Sequence, residues 1–261
     1  MIIEWKGIVA ISLIFLVDLI TIKLIDKKQK LNPELKGKLF HMLMGLVMLT
    51  LPYLFTSWVS VGVLGIVALV FLFFLKNTKL KNSIGTVLYS VDKESLGEIL
   101  LAISVFIVFY WSKGNKVLFS IPILILTFAD STAALIGKNY GKKNLASQNE
   151  NAKSLEGSFM FFMIAFLLSH IPLLLFTNIG REESLIISAI VGFNVALIEK
   201  ISHTGNCNLL IPVTTFAFVT AHIGMSLFEL RFHLVILAII FVLGTIAVEL
   251  RLGSNLHYLK F

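Results

Sequence analysis

The feature that most constrains this chain is a succession of apolar stretches, most of them close to the 20 residues that an α-helix needs to cross a bilayer. Hydrophobic residues make up 57% of the 261 residues and charged residues only 14%, which is far from the composition of a soluble domain. We count about nine stretches: 7–25, 39–54, 57–75, 97–112, 117–137, 157–177, 183–198, 209–228 and 232–250. The sequence therefore predicts an all-α, polytopic transmembrane bundle of about nine helices, in one integral membrane domain that covers residues 1–261.

The distribution of basic residues predicts the orientation of this bundle. With nine spans, 16 of the 22 lysines and arginines fall on the side that carries the odd-numbered loops and the C-terminus. The positive-inside rule places that side in the cytosol and the N-terminus outside. Trp5, Trp58 and Trp111 then lie at outer helix ends, where aromatic residues favour the interface. The net charge of +7 is explained by topology and attraction to anionic lipid, so no nucleic-acid partner is expected.

Asp130 is the most informative polar residue, because it lies inside the apolar stretch 117–137. A carboxylate in hydrocarbon is costly and marks a functional site by default. The residues after it combine glycines, which permit close backbone approach, with lysines, which can neutralise phosphate: Gly137, Lys138, Gly141, Lys142 and Lys143. Gly137 ends the apolar stretch, and we place the other four residues in a loop, 138–154, on the cytosolic side. We interpret the pattern as a phosphate-binding site.

A helix start follows this loop at Lys153, Ser154, Glu156 and Gly157. The free N–H groups of a helix N-terminus can bind an anion. Asp130 and Glu156 provide the hard oxygen ligands that a divalent cation such as Mg²⁺ shares with nucleotide phosphates. In the alternative interpretation, the loop lysines only determine topology and Glu156 only caps the helix.

Two further polar clusters lie on the predicted cytosolic side. Glu34, Lys38 and His41 have the spacing of one helical face, on which His41 could accept a proton near neutral pH. Alternatively, this cluster is an interfacial helix start with a surface ion pair. Glu199 and Asn208 flank the other cluster, and Glu199 is either a site residue or a solvated helix end.

These motifs, taken in order, resemble the polyprenol kinase family, which includes dolichol, phytol and farnesol kinases and the yeast-type CTP-dependent diacylglycerol kinase. Four elements match the family pattern: Glu34-Leu-x-x-Lys38-Leu-x-His41, Ser95-Leu-Gly-Glu98, Asp130 to Gly141 with Lys153-Ser-x-Glu156-Gly, and Glu199 with Asn208-Leu-x-x-Pro212. Two positions depart from it, because Gly37 replaces an arginine and Cys207 replaces an aspartate before Asn208. Either another residue makes those contacts, or this member is divergent or inactive.

The resemblance implies transfer of the terminal phosphate of CTP to a membrane-embedded polyprenol, isoprenoid alcohol or diacylglycerol. In that reaction Asp130 and Glu156 are expected to hold Mg²⁺, and Lys138, Lys142, Lys143 and Lys153 to bind the triphosphate. Phosphatidate cytidylyltransferase has a similar signature, but its later Asp-Arg-x-Asp-Ser stretch does not occur here. A transporter, the alternative from another class, predicts internal repeats and broken midplane helices, and the sequence shows neither.

Overall fold

The computed structural model describes residues 3–29, 32–77, 97–141, 153–202 and 205–257, in which every regular element is helical and no strand occurs. The predicted all-α class is therefore confirmed for these residues. The helices are α1 (Trp5–Gln29), α2 (Pro33–Met48), α3 (Leu51–Leu54), α4 (Trp58–Asn77), α5 (Gly97–Ser112), α6 (Lys116–Leu124), a π-helical segment (Ile125–Ala129), α7 (Asp130–Tyr140), α8 (Leu155–Phe176), α9 (Arg181–Ile201), α10 (Cys207–His222) and α11 (Leu227–His257).

Six helical segments in the described ranges are long and apolar enough to cross a membrane. They are Trp5–Gln29, Leu35–Leu54, Lys116–Tyr140, Leu155–Phe176, Arg181–Ile201 and Leu227–Thr245. Three shorter apolar helices, Trp58–Phe74, Gly97–Ser112 and Cys207–His222, accompany them. Each apolar stretch of the sequence thus corresponds to an apolar helix. The count of nine crossings and the orientation stay predictions.

Two predicted boundaries were wrong. The loop expected from Lys138 begins later, because α7 continues to Tyr140. The stretch 209–228 is interrupted, since α10 ends at His222 and Gly224 takes a φ of +91°, a left-handed conformation that glycine adopts without steric cost. Apolar residues on both sides of this turn conceal the break in a hydropathy profile.

The interior of the bundle is formed by the composite helix Lys116–Tyr140 together with α8, α9 and α10. More than half of the residues in the apolar windows of Lys116–Tyr140 and α9 are buried, 56% in each, against 22% for α1 and 6% for α11. The core includes Ile125, Phe161 and Val191, all fully buried. Helices α1 and α11 instead expose rows of leucine, isoleucine and valine, as expected of helices that face lipid.

Candidate active site at a π-helical segment

The composite helix Lys116–Tyr140 changes from α to π geometry at Ile125–Ala129, directly before Asp130. Pro122 lies one turn earlier and has no N–H to donate, which disturbs the regular helical bonds. Thr127 Oγ1 donates to the carbonyl oxygen of Ile123 at 2.6 Å. Single-turn π-segments in α-helices are frequent at functional sites. Asp130 is the first residue after this one.

Helix α2 packs closely against the π-segment. A β-carbon added to Gly45 would lie 1.9 Å from Thr127 Oγ1, so only glycine fits there without displacing the π-segment. His41 Nε2 lies 3.3 Å from the carbonyl oxygen of Leu126, and Lys38 Nζ lies 2.6 Å from Asp130 Oδ2. Lys38 and His41 both contact the composite helix Lys116–Tyr140, so they lie on the same face of α2, as their spacing predicts. The side chain of Glu34 lies outside what the structure describes.

A second ion pair joins Lys153 and Glu199. Lys153 Nζ lies 2.8 Å from Glu199 Oε1 and donates to the Glu199 carbonyl oxygen, and it lies 3.5 Å from Cys207 Sγ. The side chain of Glu199 is 7% exposed. One ammonium therefore holds together the segment before α8, the end of α9 and the start of α10.

Lys153 keeps its positive charge in this environment. Burial alone would lower the pKa of Lys153, but the hydrogen bond and charge of Glu199 outweigh burial and raise it. The charge of Asp130 acts in the same direction, so the two ion pairs influence each other. The site therefore contains two ammonium groups and two carboxylates, which balance in charge.

One carboxylate oxygen of the site has no visible partner. Glu199 Oε2 is buried and accepts no hydrogen bond from the residues that the structure describes. A buried oxygen of this kind is costly unless a cation or donor reaches it. Within the same residues, no group of three or more His, Cys, Asp or Glu side chains is arranged so that it could hold a metal ion. A metal ion here would accordingly need ligands from substrate or water.

The glycines of the predicted phosphate loop lie where α7 meets α8. A β-carbon added to Gly157 would lie 2.9 Å from the Ala133 carbonyl oxygen, and one added to Gly137 would lie 2.9 Å from Ser154 Oγ. Ser154 caps α8 by accepting a hydrogen bond from the Gly157 N–H at 3.1 Å, which confirms the predicted helix start. Gly141 is also in contact with Ser154. These glycines thus permit close helix packing, and phosphate binding by them stays a prediction.

The other predicted site residues lie around these two pairs. Lys138 is exposed in the last turn of α7, and Glu156 is in the first turn of α8. Asn208 Nδ2 donates to the carbonyl oxygen of Gly97 at 2.9 Å, which ties the start of α10 to the start of α5. Lys142 and Lys143 lie outside the described residues.

Sequence analysis missed three features of this site: the π-segment, the contact of Gly45 with Thr127, and the position of Cys207 beside Lys153. Pro122 inside an apolar run was the available signal for the first feature, because proline in a helix often accompanies a local rearrangement. Nothing in the spacing of Lys38, Asp130, Lys153 and Glu199 indicates which lysine pairs with which carboxylate.

Comparison with known proteins supports the resemblance on which the motif analysis relied. The chain is 26% identical over 197 residues to the phytol kinase of Synechocystis sp. (strain ATCC 27184 / PCC 6803 / Kazusa), a region that is 74% of this chain and 82% of that kinase. No protein-family model matches the chain, and no solved structure matches it. The similarity extends over most of both chains and agrees with a membrane protein related to isoprenoid-alcohol kinases.

Proposed function

We propose that this protein is a lipid-alcohol kinase, which transfers the terminal phosphoryl group of CTP to the hydroxyl group of a membrane-embedded isoprenoid alcohol, polyprenol or diacylglycerol. The observation that carries the proposal is the pair of lysine–carboxylate contacts, Lys38 with Asp130 and Lys153 with Glu199, beside the π-helical segment of an apolar helix. The similarity to phytol kinase supports the choice of an alcohol as acceptor.

The four charged side chains suit a nucleotide because they can exchange partners. Phosphoryl transfer depends on positioning and on neutralising the charge of the phosphates. When a triphosphate binds, the ammonium groups of Lys38 and Lys153 can turn from carboxylates to phosphate oxygens, with which they form charge-assisted hydrogen bonds. Asp130 and Glu199 then lose their cationic partners. Without nucleotide, the two ammonium groups and the two carboxylates neutralise each other. With nucleotide, the ammonium groups can neutralise its phosphates.

The carboxylates released in this way fit Mg²⁺. This ion usually takes one or two carboxylates and completes its coordination with phosphate oxygens and water, and the unpartnered Glu199 Oε2 is a suitable oxygen. Asp130 and Glu199 would hold the ion, in place of the pair of Asp130 and Glu156 that the sequence analysis expected, because no three such side chains of the described residues can hold a metal together. A bound Mg²⁺ would supply neutralisation of the phosphate charge.

His41 is suited to accept the proton of the alcohol. The Leu126 carbonyl can only accept, so the contact with His41 Nε2 requires the proton to be on Nε2 and leaves Nδ1 as an acceptor. The alcohol oxygen forms its bond to the terminal phosphorus while the bond from that phosphorus to the bridging oxygen of the nucleotide breaks. The hydroxyl proton passes to His41 Nδ1, and CDP leaves.

A labelling experiment with the purified protein in lipid nanodiscs tests the proposal. CTP or ATP labelled in the terminal phosphate is incubated with Mg²⁺ and a panel of isoprenoid alcohols, polyprenol and diacylglycerol. We expect the label in the lipid, and faster transfer from CTP. Label in pyrophosphate would identify a cytidylyltransferase, and absence of transfer to every alcohol from either nucleotide would contradict a kinase.

A further inference from the structure

An apolar cavity lies between α1, α2, α4 and α5. Its walls include Phe15 of α1, Met44 and Met48 of α2, Gly65 of α4 and Ala102 of α5. The cavity volume is about 170 Å³, which is smaller than a typical small-molecule site, and one side of the cavity is open. A space of this size fits part of a hydrocarbon chain, whose remainder can extend through the open side.

The walls of the cavity select an apolar occupant. Among the lining residues only Ser12 has a polar side chain, and its hydroxyl already donates to the Ile8 carbonyl oxygen at 2.8 Å. On α4 the lining extends from Val61 to Phe71, which is about 15 Å along a helix axis. An elongated space of this length, without polar groups to satisfy, suits a hydrocarbon chain.

The cavity and the candidate active site share helix α2. His41, Met44 and Met48 have i, i+3 and i+7 spacing and therefore share one stripe of the helix. His41 contacts the π-segment, and Met44 lines the cavity about 4.5 Å further along the axis. A molecule with its hydroxyl at His41 therefore directs the next part of its chain along Met44 and Met48.

Aromatic side chains form the wall nearest to the site. Phe15 packs edge-on against Phe40 and Phe71, with ring centroids 5.7 and 5.6 Å apart. Phe40 is adjacent to His41 in α2 and is buried. These ring contacts connect two residues of the cavity wall, Phe15 and Phe71, to Phe40, the residue before His41.

We propose that this cavity binds the hydrocarbon chain of the acceptor alcohol, so that chain length and shape are selected between α2 and α4. That the bound molecule carries a hydroxyl head group rests on the proposed function. That it carries an apolar chain rests on the lining of the cavity. A bulk membrane phospholipid is the competing occupant. Its charged head group would have to lie beside His41 and the two carboxylates, whereas an alcohol brings an uncharged hydroxyl.

Gly65 provides a way to close the cavity without disturbing the fold. A β-carbon added there meets no atom within 4 Å, whereas one added to Gly62, one turn earlier, would lie 3.2 Å from the Phe106 ring. Glycine inside a helix costs about 0.5–1 kcal/mol relative to alanine, and at Gly65 no packing contact accounts for it. The space that Gly65 leaves is part of the cavity.

The first test compares Gly65→Leu with Gly244→Leu, a matched control in α11, where an added β-carbon also meets open space. Initial rates are measured with geraniol, farnesol and geranylgeraniol. For Gly65→Leu we expect kcat/KM to fall at least about tenfold for the longest alcohol, mainly through KM, with little change for geraniol. Equal losses for all three alcohols, no loss for any, or the same profile in Gly244→Leu would overturn the assignment.

A binding test does not depend on phosphoryl transfer. A geranylgeraniol analogue that carries a diazirine on its chain is photolysed with the purified protein, and the labelled peptides are identified. We expect labelling of α2 and α4 that geranylgeraniol abolishes, that phosphatidylcholine leaves unchanged, and that Gly65→Leu reduces. Labelling elsewhere, equal competition by phosphatidylcholine, or full labelling of Gly65→Leu would overturn the cavity assignment. Expected labelling without transfer to any alcohol would instead contradict only the kinase proposal.

Discussion

Helix α9 carries glutamates near both ends, and two of them, Glu182 and Glu199, differ sharply in their surroundings. Glu182, in the first turn, pairs with Arg231 of α11, and both side chains are more than half exposed. Glu199, near the last turn, is buried and pairs with Lys153. One helix therefore contributes a carboxylate to an exposed contact between helices at one end of the bundle and to a buried charged cluster at the other.

The difference in burial is the reason that we place the proposed chemistry at the Glu199 end. An exposed ion pair contributes about 0–1 kcal/mol to stability and needs no special explanation. A buried pair must offset the cost of removing two charges from water, and an apolar pair of similar size is often as stable. Charges within a membrane protein are also costly and frequently functional. The buried cluster is therefore better explained by ligand binding than by stability.

The largest effect that we predict is the loss of activity in Asp130→Asn, because the change removes one carboxylate charge while preserving shape. We expect kcat to fall roughly 100- to 1000-fold. Asp26→Asn is the matched control, since Asp26 also forms a 2.6 Å contact with a lysine of α2, Lys36. Initial rates of phosphoryl transfer measure both variants, and an equal loss in Asp26→Asn would contradict a special role of Asp130.

Neutralising one or both members of an ion pair separates stability from activity. Lys153→Gln leaves Glu199 buried without its partner, and we expect a loss of about 3–5 kcal/mol in unfolding free energy. Adding Glu199→Gln should restore most of this stability but no activity.

At the opposite end, Arg231→Gln should cost no more than about 1 kcal/mol and keep full activity. Denaturant unfolding and transfer assays measure these variants. Recovery of activity in the Lys153→Gln, Glu199→Gln double variant would show that the buried pair is only structural.

The raised pKa of Lys153 predicts a smaller effect, a loss of stability that occurs only at alkaline pH. Because its pKa in the folded protein lies above the ordinary value of 10.5, the stability from its charge is fully present below pH 10.5 and is lost as pH rises through the higher folded value. We expect the stability difference between the wild type and the Lys153→Gln, Glu199→Gln variant to be constant from neutral pH to about 10. A difference that changes between pH 7 and 9 would contradict this assignment.

Glu4 gives the smallest predicted effect, at the end of the bundle away from the site. Burial alone would raise the pKa of Glu4, but hydrogen bonds from the Thr56 N–H and hydroxyl and from the Ser57 N–H outweigh it and lower the pKa. The stability from this contact is present above pH 4.5 and lost as pH falls through the lower folded value. We expect the melting temperature of Glu4→Gln to lack this decrease at acidic pH. Its transfer activity near neutral pH should be unchanged.

The sequence predicted the parts of this molecule that depend on local spacing. Helical periodicity placed Lys38 and His41 on one face, and the Ser154 to Gly157 spacing located a helix start. The partners of those residues were not predictable, because many faces of the bundle are apolar and hydropathy does not specify which helices are neighbours. Gly45 and Gly65 show the same limit. Both are glycines in apolar helices, yet one contacts the π-segment and the other leaves a cavity open.

Equilibrium binding of labelled CTP to the purified protein with Mg²⁺ tests most directly whether the buried end of the bundle is the nucleotide site. Lys38→Gln and Lys153→Gln each remove a charged donor, so we expect each to raise Kd at least about tenfold, while Arg231→Gln stays within about twofold of the wild type. Thermal unfolding verifies that each variant is folded. Tight binding by both lysine variants, or an equal loss in Arg231→Gln, would contradict the account.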